Sequence, residues 1–168
     1  TEYGIFWNTG DEHDEEGHIS EDPTVRIKMM DKRMSKLDLI LQEIQDEDKA
    51  LSYNGNSDIV ITSWGSTKGA ILDALDELNK FVQIKLLNPF PQQLLEKLLN
   101  SAKTIINIEM NYSSQLAKLI KQNLQRDINY EIVKYSGRPI SCDELYRVIK
   151  GIVNNNVDKR RIVLDYGT

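Results

Sequence analysis

Cysteine is almost absent from this chain: Cys142 is the only one in 168 residues. One thiol excludes an intrachain disulfide and points to a reducing compartment, the cytoplasm. It also excludes an iron–sulfur cluster held by this chain alone, because such clusters usually take four thiolates. Histidine is nearly as scarce, with His13 and His18 alone. Their spacing suits neither a zinc finger nor an i, i+4 helical pair, so no metal site is expected. Long hydrophobic runs are missing: nothing approaches the roughly 18 consecutive apolar residues of a membrane span, and no secretory signal opens the chain. Positive charge is in deficit, with a net charge of −5, so the overall field favours neither nucleic acid nor an anionic membrane. The one basic run (Lys28, Lys32, Arg33, Lys36) is interrupted by Asp31 and Asp38 and reads as the solvated face of a helix. Three motifs are also lacking: the dinucleotide fingerprint, the phosphate-binding loop and the hydrolase nucleophile elbow.

What is present falls into three textures. Residues 1–22 are acidic and turn-rich after Trp7, with Gly10 and Gly17 bracketing Asp11-Glu12-His13-Asp14-Glu15-Glu16. An ordered excursion anchored by Phe6 and Trp7 is expected there. The abrupt opening on Thr1 and Tyr3-Gly4-Ile5-Phe6-Trp7 reads as a cut inside a longer protein. Residues 23–57 open with a long helix ending near Gln45, with Asp22 as N-cap and Pro23 in the first helical position, where its missing N–H costs nothing. Ile27, Met30, Met34, Leu37, Leu41 and Ile44 recur in steps of three and four, a narrow seam that packs either on its own domain or on a partner. The polar stretch from Gln45 to Ser57, with Asn54-Gly55-Asn56, reads as a linker.

From Asp58 onward strands and helices alternate. Five strands are expected, at 58–64, 81–87, 104–109, 130–135 and 161–165, with helices between them reaching about Asn79, Leu99, Leu124 and Val153. Strand–helix alternation at this spacing implies crossovers, hence a three-layer α/β domain over 58–168 with a mainly parallel five-stranded sheet and helices on both faces. Ser141 followed by Glu144 is a capping box; Ser66 and Ser113 are further candidate caps, and Pro91 suits a first helical position.

In such a sheet ligands bind beyond the carboxyl ends of the strands. Of the loops there, Trp64-Gly65-Ser66-Thr67-Lys68-Gly69 offers amides, two hydroxyls and a lysine, an anion cradle built on Ser66, Thr67 and Lys68; a tight turn with a capped helix is the alternative. Asn111, Tyr112 and Gln115 cluster at another strand terminus, where a large amphipathic side chain on a rim suits contact with a partner domain. Arg138, in Gly137-Arg138-Pro139, offers a guanidinium to a carboxylate or phosphate, or pairs with a local Asp.

Several segments occur in an ordered series: Gly10-Asp11-Glu12-His13, Gly17-His18-Ile19 with Glu21-Asp22-Pro23, Lys32-Arg33-Met34, Ser63-Trp64-Gly65-Ser66-Thr67-Lys68-Gly69-Ala70, Asn88-Pro89-Phe90-Pro91, Asn111-Tyr112-Ser113 with Gln115-Leu116-Ala117, and Gly137-Arg138-Pro139-Ile140-Ser141. That series resembles the end of the α subunit of archaeal-type 2-oxoacid:ferredoxin oxidoreductases, from about Gly4 to the chain end. One departure is Ser114, where the family pattern has Gly. The resemblance implies an enzyme that converts a 2-oxoacid and coenzyme A to acyl-CoA and carbon dioxide while passing electrons singly to ferredoxin. It implies thiamine diphosphate, Mg²⁺ and an iron–sulfur cluster in the complete enzyme, held by the β subunit, with the substrate-facing loop on the preceding α-subunit domains. Residues 58–168 are then a transketolase C-terminal-like domain, whose sheet usually has one antiparallel edge strand. This domain is expected to bind no cofactor and to be inactive alone. Asn111, Tyr112, Gln115 and Arg138 become its interface candidates. Glu12, His13 and His18, in the loop adjoining the catalytic domain, are the only residues placed to approach the chemistry. The rival reading is a stand-alone α/β module that binds a phosphorylated ligand such as coenzyme A through residues 64–69.

Overall fold

The computed structural model describes residues 4, 5, 7–75 and 79–165. The chain divides into two compact units, the division falling between Ile44 and Gln45.

The first unit starts with the acidic stretch. Expected as a loop without strand structure, it closes into a short antiparallel hairpin, β1 (Glu12–His13) with β2 (Ile19–Ser20). Its turn is tied by Asp14, whose carboxylate accepts from the Glu16 and His18 amides at 3.1 and 2.9 Å. Gly17 takes φ 87, a backbone region that an L side chain disfavours. The anchoring expected of the aromatics is not found at Trp7, which is 63% exposed, and Phe6 lies outside the described residues. Helix α1 (Pro23–Glu43) follows, and Asp22 caps it as expected, accepting from the Thr24 amide at 2.7 Å. No residue of α1 is buried, and the seam residues Ile27 and Met34 remain exposed.

The second unit starts earlier than the expected domain at residue 58. The stretch 45–57, read as a linker, carries α2 (Asp46–Lys49) and a strand, β3 (Ala50–Tyr53), that pairs antiparallel along β5 (Lys80–Ile84). The sheet therefore has six strands rather than five. With β4 (Ile59–Trp64), β6 (Thr104–Glu109), β7 (Tyr130–Val133) and β8 (Arg161–Val163), the order is β3-β5-β4-β6-β7-β8, parallel throughout except at β3. Tyr53 fixes the added strand, stacking on Phe81 with ring centroids 5.4 Å apart and donating to the Gln83 amide oxygen.

Strand residues alternate between two cores, as the pleat demands. Val60, Val82 and Ile105 face α4 (Gln92–Leu99) and α5 (Gln115–Leu124), packing with Leu95, Leu99, Leu116 and Ile120. Ile61, Phe81, Ile106 and Ile132 face the other way, against α3 (Lys68–Ala74) and α6 (Cys142–Val153), with Ile71, Leu145 and Ile149. Both faces are covered, giving the three layers that the alternation implies. Helix α3 ends at Ala74, short of the expected Asn79; residues 76–78 lie outside the described ones. The Ser141–Glu144 capping box forms as expected.

Candidate functional site

Chain order reverses between β4 and β6: β4 leads outward to β5 and β3, whereas β6 leads to β7 and β8. The crevice beyond the carboxyl ends of β4 and β6 is thus where an open α/β sheet places its ligand. Trp64 and Glu109, the last residues of those strands, point to the same face and meet there. The Glu109 side chain is buried, in a residue only 1% exposed. It accepts hydrogen bonds from the Leu116 and Ala117 amides in the first turn of α5, from Asn107 and Asn111 Nδ2 at 2.7 Å, and from Trp64 Nε1 at 3.2 Å. Asn107 is steadied in turn by the Thr62 hydroxyl, which donates to its Oδ1. Five donor groups satisfy one carboxylate, and the positive end of α5 supplies the compensating partial charge. An anion therefore already occupies the helix terminus at the switch point, and it belongs to the chain itself.

Above this buried carboxylate lies a rim of exposed apolar surface: Trp64 (38% exposed), Met110 (41%), Tyr112 (70%) and Tyr135 (47%). Tyr112 meets Tyr135 edge to face, with centroids 5.1 Å apart. Arg161, from β8, lies over the Tyr112 ring at 5.3 Å and donates to the Tyr112 carbonyl and to Ser114 Oγ. Ser114 adopts the left-handed conformation, φ 51, which accounts physically for a glycine in the family pattern at this position. It is the N-cap residue of α5, but its side chain makes no capping bond; Glu109 serves instead of the expected Ser113.

The other residues singled out in the sequence separate. Ser66 is exposed, whereas Thr67 is buried and its hydroxyl donates to the Trp64 carbonyl within a 3₁₀ turn, Gly65–Thr67. Lys68 is drawn to the Tyr53 ring, 5.4 Å from its centroid. These three do not converge on a common point, and neither Ser66 nor Thr67 caps α3 through its side chain. Pro91 is the N-cap residue of α4 rather than its first helical residue. Asn111 and Tyr112 lie on the rim, and Gln115 and Arg138 are exposed at the same end of the sheet. Sequence reading placed Glu109 in a polar cluster without seeing its burial, and it missed Trp64, Tyr135 and Arg161 as rim residues. Beside the rim, Lys134 is buried and bonds both oxygens of Glu144, at 3.0 and 2.8 Å.

In the first unit, Glu12 is held by Arg33 and Arg26. The hydrogen bond from Arg33 is the main cause lowering its pKa from 4.5 to about 2, with the charge of Arg33 and then of Arg26 adding to it. A carboxylate so committed is a clamp for the hairpin, not a proton acceptor at neutral pH. His13 Nδ1 lies 2.9 Å from the Asp14 carbonyl oxygen, which makes that nitrogen the donor. It borders an open cleft that also includes Val25, Lys28 and Met29. His18 is outside that cleft's lining, with a side chain 72% exposed and Nδ1 3.8 Å from the Asp14 carboxylate. Because the folded pKa of Glu12 is depressed, its clamping is complete above about 4.5 and is lost as the pH falls towards 2. An NMR titration of the Glu12 carboxyl should show a midpoint near 2; one near 4.5 would mean that the two arginines do not hold it.

The three-layer architecture with this closed switch point defines an oxidoreductase domain that gives structural support: it aligns, with a TM-score of 0.74 and 26% identity, with a 2-oxoglutarate:ferredoxin oxidoreductase from Magnetococcus marinus solved with 2-oxoglutarate, coenzyme A and succinyl-CoA bound, over 87% of this chain and 26% of that one. Residues 57–145 match the family model for pyruvate:ferredoxin oxidoreductase core domain II. The chain belongs to the 2-oxoacid:ferredoxin oxidoreductase α-subunit family. Among its relatives are the α subunits of 2-oxoacid:ferredoxin oxidoreductases from Saccharolobus solfataricus, 42% identical over 95% of this chain, and from Sulfurisphaera tokodaii, 39% identical over 96%. The chain spans 26% of the length of each of these relatives.

The family implies thiamine diphosphate with Mg²⁺. At the switch point the α5 amides that would receive a diphosphate are bonded to Glu109, and among the described residues no group of three or more His, Cys, Asp or Glu is placed to hold a metal. The residues here do not fit that cofactor, and no step of the reaction runs through it on this chain. Among the described residues no helix is long and apolar enough to cross a membrane.

Proposed function

We propose that this chain serves a thiamine diphosphate-dependent enzyme that turns a 2-oxoacid, coenzyme A and oxidised ferredoxin into acyl-CoA, carbon dioxide and reduced ferredoxin, and that the chain's part is assembly. The observation that carries this reading is the Glu109 carboxylate lodged at the switch point, with an exposed aromatic rim above it. A fold that commonly binds ligands at this crevice has spent the position on its own side chain. Trp, Tyr, Met and Arg are the residue types enriched where protein surfaces meet. The rim, with Asn111, Tyr112, Gln115 and Arg138, then packs against the β subunit or the preceding α-subunit domains. The thiamine diphosphate, the Mg²⁺, the iron–sulfur cluster and the ferredoxin contact belong to those partners. Co-expressed with them, the chain should purify in a stable complex; consistent recovery of the chain alone would overturn the assembly role.

His13 is the residue of this chain proposed to approach the chemistry, since it borders a cleft while Glu12 beside it is committed to arginines. In the complete enzyme, His13→Ala should lower kcat at least about tenfold, the lower end for a group that handles a proton. Its melting temperature should stay close to that of the wild type. Unchanged steady-state kinetics would remove His13 from the reaction.

A further inference from the structure

The loop 110–114 bears the most exposed of the rim aromatics, yet it is held from two sides. From below, Glu109 fixes it through Asn111 Nδ2 at 2.7 Å while bonding the α5 amides that follow the loop. From above, Arg161 stacks on the Tyr112 ring and donates to the Tyr112 carbonyl and to Ser114 Oγ at 3.1 Å. Arg161 is in turn steadied by Glu131, on the neighbouring strand, at 3.4 Å. Tyr135 braces the ring edge. A non-glycine residue in the left-handed region at Ser114 needs such support, because on its own that conformation is disfavoured. These contacts fix a tyrosine whose ring is nevertheless 70% exposed. An anchor fixed before contact loses little freedom on docking, which is what makes preorganised surfaces bind well.

We propose that Arg161 is a positioning residue: with Glu109 beneath, it holds loop 110–114 in its docked conformation before assembly, so that Tyr112 meets the neighbouring polypeptide of the same oxidoreductase as a rigid anchor. The inference rests on the reading of the rim as an assembly surface. Arg161 acts through Tyr112 and Ser114 rather than by its own contact with the partner.

Amide hydrogen exchange tests it, measured on the chain alone and on the assembled oxidoreductase, for the wild type and for Arg161→Met. Arg161 is exposed, so the variant should fold. In the chain alone, Arg161→Met should speed exchange at 111–116 by about tenfold, a local opening that leaves β4 and β6 at wild-type rates. In the assembled enzyme the wild-type loop should become strongly protected, and the variant should regain that protection only in part. If the free chain's loop exchanges at wild-type rates in Arg161→Met, the residue positions nothing and the inference is wrong. If the wild-type loop gains no protection on assembly, the rim is not an interface and the underlying reading itself fails. The two failures are therefore told apart by which sample shows them.

Discussion

Replacing Lys134 by Met should cost the second unit about 3 to 5 kcal/mol, the usual penalty for stripping one partner from a buried ion pair. Lys134 is fully buried and bonds both oxygens of Glu144, which is itself only 7% exposed. Burial alone would raise the Glu144 pKa, but the bonds from Lys134 and from the Ser141 amide and hydroxyl outweigh it and set the net shift below 4.5. The sign follows: a carboxylate depressed in the folded state adds stability above its ordinary value and gives it up as the pH falls through the folded one. Without Lys134 the carboxylate keeps its capping bonds at the start of α6 but has lost its counter-charge. The double variant Lys134→Met with Glu144→Gln should recover most of the loss, because Gln in the third helical position still completes a capping box with Ser141. Urea denaturation of the wild type, single and double variants decides it. A Lys134→Met variant within about 1 kcal/mol of wild type would mean that the pair is solvated in solution.

The second large effect is at Glu109. Truncation to Ala should destabilise by about 4 kcal/mol, since each buried donor left without an acceptor costs about 1 to 3 kcal/mol and entering water satisfies part of the set. Glu109→Gln should lose about half as much: the amide oxygen keeps some of the five donors while its NH₂ faces others. Because Trp64 Nε1 donates to this carboxylate, its emission reports the same event. In a Trp7→Phe background, Glu109→Ala should shift that emission towards that of a solvated indole. Equal stability of the Ala and wild-type proteins would contradict the five-donor arrangement.

The sequence-legible parts of this fold are those whose signal is local. The Ile59–Trp64 and Thr104–Glu109 runs are short, apolar and bounded by turn residues, so their strands could be placed within a residue or so. The Asp22 cap and the Ser141–Glu144 box lie within three residues of the groups they satisfy. The edge strand β3 was not legible as such: only Ala50 of its four residues is buried, and acidic α2 and the Asn54-Gly55 turn surround it with linker-like polarity. Its strand character comes from pairing with Lys80–Ile84, some thirty residues away. The site divides in the same way. Asn111 and Tyr112 stood out as a polar strand terminus, but the bond from Trp64 to Glu109 spans 45 residues and that from Arg161 to Ser114 spans 47. Nothing in local spacing foretells such partners. Ser66, Thr67 and Lys68 show the converse: adjacent in sequence, they point respectively to solvent, into the turn and to Tyr53.

Calorimetric titration with coenzyme A, run in parallel on the chain alone and on the assembled oxidoreductase, tests most directly whether this chain supplies packing while ligand chemistry resides with its partners. The expected result is a saturable heat with the assembled enzyme and none with the chain alone, whose α5 terminus is already filled by Glu109. One-to-one saturable binding by the chain alone would contradict the account, for it would place a ligand site in the very domain held here to be closed.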